Sequence, residues 1–157
     1  MSALPVDLSP ASLSPLLAHV SDLDLSDPVA ARASLEQAFP VEGPWISTLR
    51  ALMLAAEAAG EICNRGAMPV RWSRVFKASD ASSGLSADAV LMDGPGPLHE
   101  HPNGEVDLCF ALDGAPRFDG AGEGWVVYGP GSRHVPTVRD GRMLILYLLP
   151  EGAIAFL

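Results

Sequence analysis

Basic residues are scarce in this chain: 10 Lys+Arg stand against 19 Asp+Glu, for a formal net charge of -9. A surplus of negative charge is repelled by phosphate backbones and anionic headgroups, so neither nucleic acid nor a membrane surface is an expected partner. Cysteine is scarce too. Cys63 falls in a helical pattern and Cys109 in a strand pattern, and neither belongs to a Cys-x-x-Cys pair. That excludes a disulfide scaffold and reads as two buried free thiols in a reducing compartment. The first residues lack a basic stretch followed by an apolar core, and the strongest apolar run, Met143 to Leu149, is far too short to span a bilayer. A cytoplasmic location is the expectation. A dinucleotide-binding fingerprint, a P-loop and internal repeats are also missing.

What remains is 157 residues that are 48% hydrophobic and 18% charged, enough for one well-packed domain. Residues 1–66 read as a helical N-terminal extension and 67–157 as a β domain. Ser9-Pro10 and Ser14-Pro15 announce one or two short helices around Leu13 to Val20, and Asp27-Pro28 opens a second segment ending near Phe39. Gly43-Pro44 opens a third, whose stripe of Trp45, Leu49, Leu52, Met53, Ala56, Gly60 and Cys63 carries the helical period to a stop at Gly66. This half reads as a packing layer or a dimer surface, with His19 standing alone.

From Val70 the period becomes two. Val70, Trp72, Arg74 and Phe76 share one strand face, which sets Arg74 among aromatics. Further short runs follow: Ala87 to Met92, Val106 to Leu112, Pro116 to Phe118, Trp125 to Tyr128, His134 to Val138, Arg142 to Leu149 and Ala153 to Leu157. Asp-Gly pairs at 93–94, 113–114, 119–120 and 140–141 separate them and suit hairpin turns. The fold class is mainly β, an antiparallel sandwich or barrel.

The densest chemistry lies in Gly94-Pro-Gly-Pro-Leu-His99-Glu-His101-Pro-Asn-Gly-Glu105. Two positions apart on a strand, His99 and His101 project from one face, and the Pro-Asn-Gly turn can bring Glu105 beside them. His134 is the obvious fourth ligand. Three imidazoles and a carboxylate suit one divalent transition metal, Fe, Mn, Ni or Zn, without choosing among them.

This pattern, completed by Pro130-Gly131-Ser-Arg-His134, resembles the metal motifs of the cupin superfamily, which implies a jelly-roll β-barrel, a single metal and commonly a homodimer. Counting forward from His101 the family's carboxylate ligand is Glu105; counting back from Gly114 it is Asp107. Glu105 is favoured because it follows the turn directly, with Asp107 as a partner that orients a histidine. More narrowly, Ser132-Arg-His-Val-Pro-Thr137 and Tyr147-Leu-Leu-Pro-Glu-Gly152 are similar to strings of the 4-hydroxylaminobenzoate lyase family. The resemblance implies a metal-dependent lyase that turns 4-hydroxylaminobenzoate and water into protocatechuate and ammonia. A small aromatic carboxylate needs a cationic anchor, for which Arg74 comes first and Arg133 second. Glu105, Asp107 and Arg74 are thus the candidate catalytic residues, with Glu100 and Tyr128 as further proton carriers. A cupin dioxygenase or isomerase of another small organic acid, and a non-catalytic binding module, stay open as alternatives.

Overall fold

Proline occupies the first position of each helix, where its missing N–H costs nothing: α1 is Pro10–Ser21, α2 Pro28–Ala38 and α3 Pro44–Ala58. The side chains of Ser9 and Asp27 accept from the amides of Ser12 and Ala30, both at 3.2 Å, and so cap α1 and α2. In the computed structural model, which describes residues 3–157, α3 stops well before the expected Gly66. Gly60 turns left-handed (φ 73°), its amide bonds to the carbonyl of Glu57, and that of Glu61 reaches back to Ala56. Cys63 lies beyond the helix and donates its amide to Ser73 Oγ at 2.9 Å. Among the described residues no helix is long and apolar enough to cross a membrane.

Among the described residues nine strands follow: β1 Arg65–Ala67, β2 Val70–Phe76, β3 Leu85–Met92, β4 His99–His101, β5 Glu105–Phe118, β6 Gly124–Tyr128, β7 Ser132–His134, β8 Val138–Pro150 and β9 Ala155–Phe156. They form two antiparallel sheets, ordered β1-β2-β3-β8-β5-β6 and β7-β4-β9. Their hydrogen bonding is not continuous, so the architecture is a jelly roll of two sheets and not a closed cylinder.

The large sheet is buried on both faces, which explains why β5 and β8 read as apolar runs rather than alternations. Ala87, Ala89, Leu91, Val106, Leu108, Phe110, Leu144, Leu146 and Leu148 join one cluster with Leu16, Leu35, Ile46, Leu49 and Met53 of the helices. Their strand neighbours Val90, Met92, Cys109, Met143, Ile145 and Tyr147 form a second cluster on the opposite, inner face. Polar ties secure the helical layer: Trp125 Nε1 donates to the carbonyl of Phe39 at 2.9 Å, Arg50 to that of Ala111 at 2.8 Å, and Arg71 to Glu57 at 2.7 Å.

Three of the four Asp-Gly pairs do not make hairpin turns: Asp93-Gly94 is a bend that leads out of β3, whose ladder partners are β2 and β8, toward β4 in the other sheet. Asp113-Gly114 and Asp140-Gly141 lie inside β5 and β8, where Gly114 is registered against Gly141 beside irregularities in the ladder. A Cβ on Gly114 would sit 2.4 Å from the carbonyl oxygen of Asp140, and one on Gly141 2.1 Å from that of Asp113. The pairs therefore permit a close backbone crossing that lets two long strands bend. Asp119-Gly120 is a tight turn, with Phe118 and Ala121 exchanging both backbone hydrogen bonds.

Candidate metal centre

Strand register assembles the site. His99 and His101 share the inner face of β4, and His99 is directly opposite His134 of β7. The turn after His101 then delivers Glu105 as the first residue of β5. One donor atom from each of these four side chains lies within 4.8 Å of all the others. His99 Nε2 is 2.7 Å from His101 Nε2 and 3.0 Å from His134 Nε2. Glu105 Oε2 stands 3.3 Å from His101 Nε2 and 4.0 Å from His134 Nε2, while Oε1 is 3.9 Å from His99 Nε2.

The outward ring nitrogens are all engaged. His99 Nδ1 lies 3.2 Å from the carbonyl of Pro97, which can only accept, so this nitrogen carries the proton. His134 Nδ1 faces a carboxylate oxygen of Asp119 at 2.6 Å and likewise donates. His101 Nδ1 meets Ser132 Oγ at 2.9 Å. In the neutral state His99 and His134 therefore turn bare Nε2 lone pairs toward each other. Burial, reinforced by the neighbouring His134, lowers His99 to about 4. Burial and the two other imidazoles lower His101 to about 3, so both rings are neutral at pH 7. Both oxygens of fully buried Glu105 lack a hydrogen-bond partner among the described residues. Converging lone pairs and an orphaned carboxylate repel one another unless a cation lies among them, so this donor set fits a divalent ion.

Asp107 follows on the same face of β5 but lies outside the four-residue cluster. Its carboxyl is also fully buried and unpartnered, and burial, then the Glu105 charge, pushes it well above the ordinary carboxylate range. Burial likewise raises Glu105.

Arg74 lies on the same side of β2 as Val70 and Trp72, as strand parity predicts, and it is Phe76 that departs. A bulge between Arg74 and Phe76 interrupts the alternation, and Phe76 packs with Val75 against the helix-facing core. Arg74 grips Asp88 through Nε (2.8 Å) and Nη2 (3.3 Å). Both line a cavity of about 720 Å³ whose walls include Trp72, Val90, Met92, Tyr147, Phe156 and His99. Arg133 is turned away, paired with Glu100 at 2.7 Å on the outer face of the small sheet. His19 bridges α1 and α2 through Ser34 Oγ at 3.0 Å, far from this chemistry in the fold.

Sequence reasoning misses Asp119. Besides His134 it accepts from the Tyr128 hydroxyl and from the Thr137 amide at 2.9 Å. Burial opposes its charge, but these hydrogen bonds outweigh burial and hold the carboxyl below its ordinary value. The only signal, Asp119-Gly120, reads as a turn, and a left-handed φ of 49° makes it one. Asp119→Asn should keep the turn yet lower metal affinity about 10–100-fold, because an amide that offers Nδ2–H to His134 disturbs the ring's tautomer. Competition with a chromogenic chelator measures this, and an unchanged affinity would remove Asp119 from the site.

Two facing antiparallel sheets that hold His-x-His, a glutamate and a distant histidine on their inner surfaces are the architecture of the cupin superfamily. A family model described as "PnbB: 4-hydroxylaminobenzoate lyase" matches residues 11–156, and the chain belongs to that family. It is similar to the 4-hydroxylaminobenzoate lyase of Nocardioides sp. (strain LMS-CY), 33% identical over 94 residues that make up 55% of this chain and 56% of the relative. It is also similar to that of Pseudomonas putida, 35% identical over 65 residues, 39% and 37% of the two chains. The matches thus span about half or less of these curated relatives. Among solved structures, an RmlC-like cupin from Ralstonia eutropha JMP134 aligns with a TM-score of 0.40 at 17% identity, over 58% of this chain and 61% of that one.

Proposed function

We propose that this protein is a metal-dependent lyase converting 4-hydroxylaminobenzoate and one water into protocatechuate and ammonia. The observation that carries the reading is the cluster of His99, His101, Glu105 and His134, with His99 forming part of the wall of a cavity sized for a small molecule, in a chain of this family. Fe(II), Mn(II), Ni(II) or Zn(II) would be held by the three Nε2 atoms and the Glu105 carboxylate. Such an ion supplies Lewis acidity toward the N–O group or an activated water.

The chain's own residues do the remaining work. Pro97 and Asp119 keep His99 and His134 in the tautomer that presents Nε2 inward. Trp72, Val90, Met92 and Phe156 give the aromatic ring apolar walls. Asp107, whose carboxyl burial and the Glu105 charge push upward, stands two residues along β5 from Glu105 and is the nearest candidate to carry a proton for the departing nitrogen. Arg74, locked to Asp88, builds the cavity wall on the β2–β3 side.

The test is turnover of 4-hydroxylaminobenzoate under strict anaerobiosis. Ammonia and protocatechuate should appear in equal amounts with no oxygen consumed. A reaction that proceeds only with oxygen would replace the lyase by an oxygenase.

A further inference from the structure

Two arginines line the cavity, and they differ in a way that bears on which anion it takes. Arg74 is neutralised by Asp88, with two of its three nitrogens spent. Arg65 also lines the cavity, from edge strand β1, yet has no carboxylate within 4.0 Å among the described residues. Instead its guanidinium lies over the indole of Trp72, 5.5 Å from the ring centroid. The two residues are directly opposed in the β1–β2 register.

We propose that Arg65, placed over Trp72, is the carboxylate-binding group of this cavity and selects aromatic carboxylates over neutral aromatics. This rests on the lyase reading for the reaction, but the anion-binding role stands on its own geometry.

A chain of net charge -9 that admits an anion needs local positive charge to overcome its own field. Here Asp88 cancels Arg74, and Glu61 adds a further negative group to the lining. Among the described lining residues, Arg65 alone supplies uncommitted positive charge. No hydrogen bond or ion pair engages the Arg65 guanidinium among the described residues, so its N–H groups are free to donate two parallel hydrogen bonds to a carboxylate. Trp72 is 44% exposed, unusual for a tryptophan without a binding role, and its position under Arg65 limits the rotamers the arginine loses on capture. His99 and Arg65 border one cavity, so a para-substituted benzoate held at Arg65 points its other end into the space that His99 walls.

The experiment is equilibrium binding of benzoate, with benzamide as the neutral control, to the metal-loaded protein by calorimetry and tryptophan fluorescence. Trp45 and Trp125 are buried, so the fluorescence response should report Trp72 and disappear in Trp72→Phe. Arg65→Ala should weaken benzoate roughly tenfold, the lower end for a charge-assisted pair because the site is open to solvent, and leave benzamide unchanged. Arg65→Lys should recover part of the loss. The double variant Arg74→Ala/Asp88→Ala, which removes a matched pair, should change benzoate affinity by less than about twofold on the same reasoning. Unaltered benzoate affinity in Arg65→Ala, or loss only in the double variant, overturns the proposal. The same holds for a wild-type protein that does not prefer benzoate to benzamide. Arg65-dependent benzoate binding in a protein that releases no ammonia from 4-hydroxylaminobenzoate keeps the anchor and removes the lyase. Lyase turnover whose KM ignores Arg65→Ala does the reverse.

Discussion

His99→Ala and His134→Ala should each reduce both bound metal and turnover by a hundredfold or more, above the roughly 10–100-fold that loss of a supporting hydrogen bond costs. The two are opposed across β4 and β7, with Nε2 atoms 3.0 Å apart, so each deletion opens the same side of the site. Neither should unfold the protein, because the replaced rings lie on the small sheet, outside the two apolar clusters. Metal analysis after gel filtration, paired with circular dichroism, checks both halves of the statement. Full metal content in both variants would show that the ion is held elsewhere.

Trp125→Ala should have the largest effect on stability. The indole is fully enclosed between β6 and the helices and also donates Nε1–H to the carbonyl of Phe39, where α2 ends. Phe39 in turn meets Trp45 edge-on at 5.0 Å, so one ring joins the sheet to two helices. Truncating a buried tryptophan costs about 3–5 kcal/mol, which for a chain of this size lowers Tm by on the order of 10 °C. Trp125→Phe keeps most of the packing and should cost about 1 kcal/mol for the lost hydrogen bond. Urea unfolding distinguishes them; a loss below 1 kcal/mol for the alanine variant would mean that the helices do not depend on this contact.

The histidines of the site are legible in the sequence because their geometry is local: a spacing of two on any strand gives one face. His134 is named from residue type as the distant fourth ligand and gains its support from the resemblance, since nothing near it states that β7 pairs with β4. Phe76 is misplaced because a bulge after Arg74 changes the strand's parity, and bulges have no reliable signature in a short apolar run. The end of α3 is misplaced because Ile62 and Cys63 continue the apolar count past Gly60, although they are buried as loop residues. Asp113-Gly114 and Asp140-Gly141 look like hairpin turns since glycine serves a turn and a close strand crossing equally well. Asp119 and Arg65 escape notice for one reason: each acts through a partner distant in sequence or across a ladder, and a single residue type says nothing of that partner.

The four candidate ligands are unevenly shared between the two sheets. Three sit on β4 and β7 of the small sheet, none of whose described residues joins the helix-packed cluster, and only Glu105 belongs to the large one with its helical layer. An ion held by all four would therefore act as a clasp, fastening a lightly built flap to a rigid frame. Loading and local order then become one equilibrium, in which the backbone amides of β4 and β7 exchange slowly with solvent only while the clasp is shut.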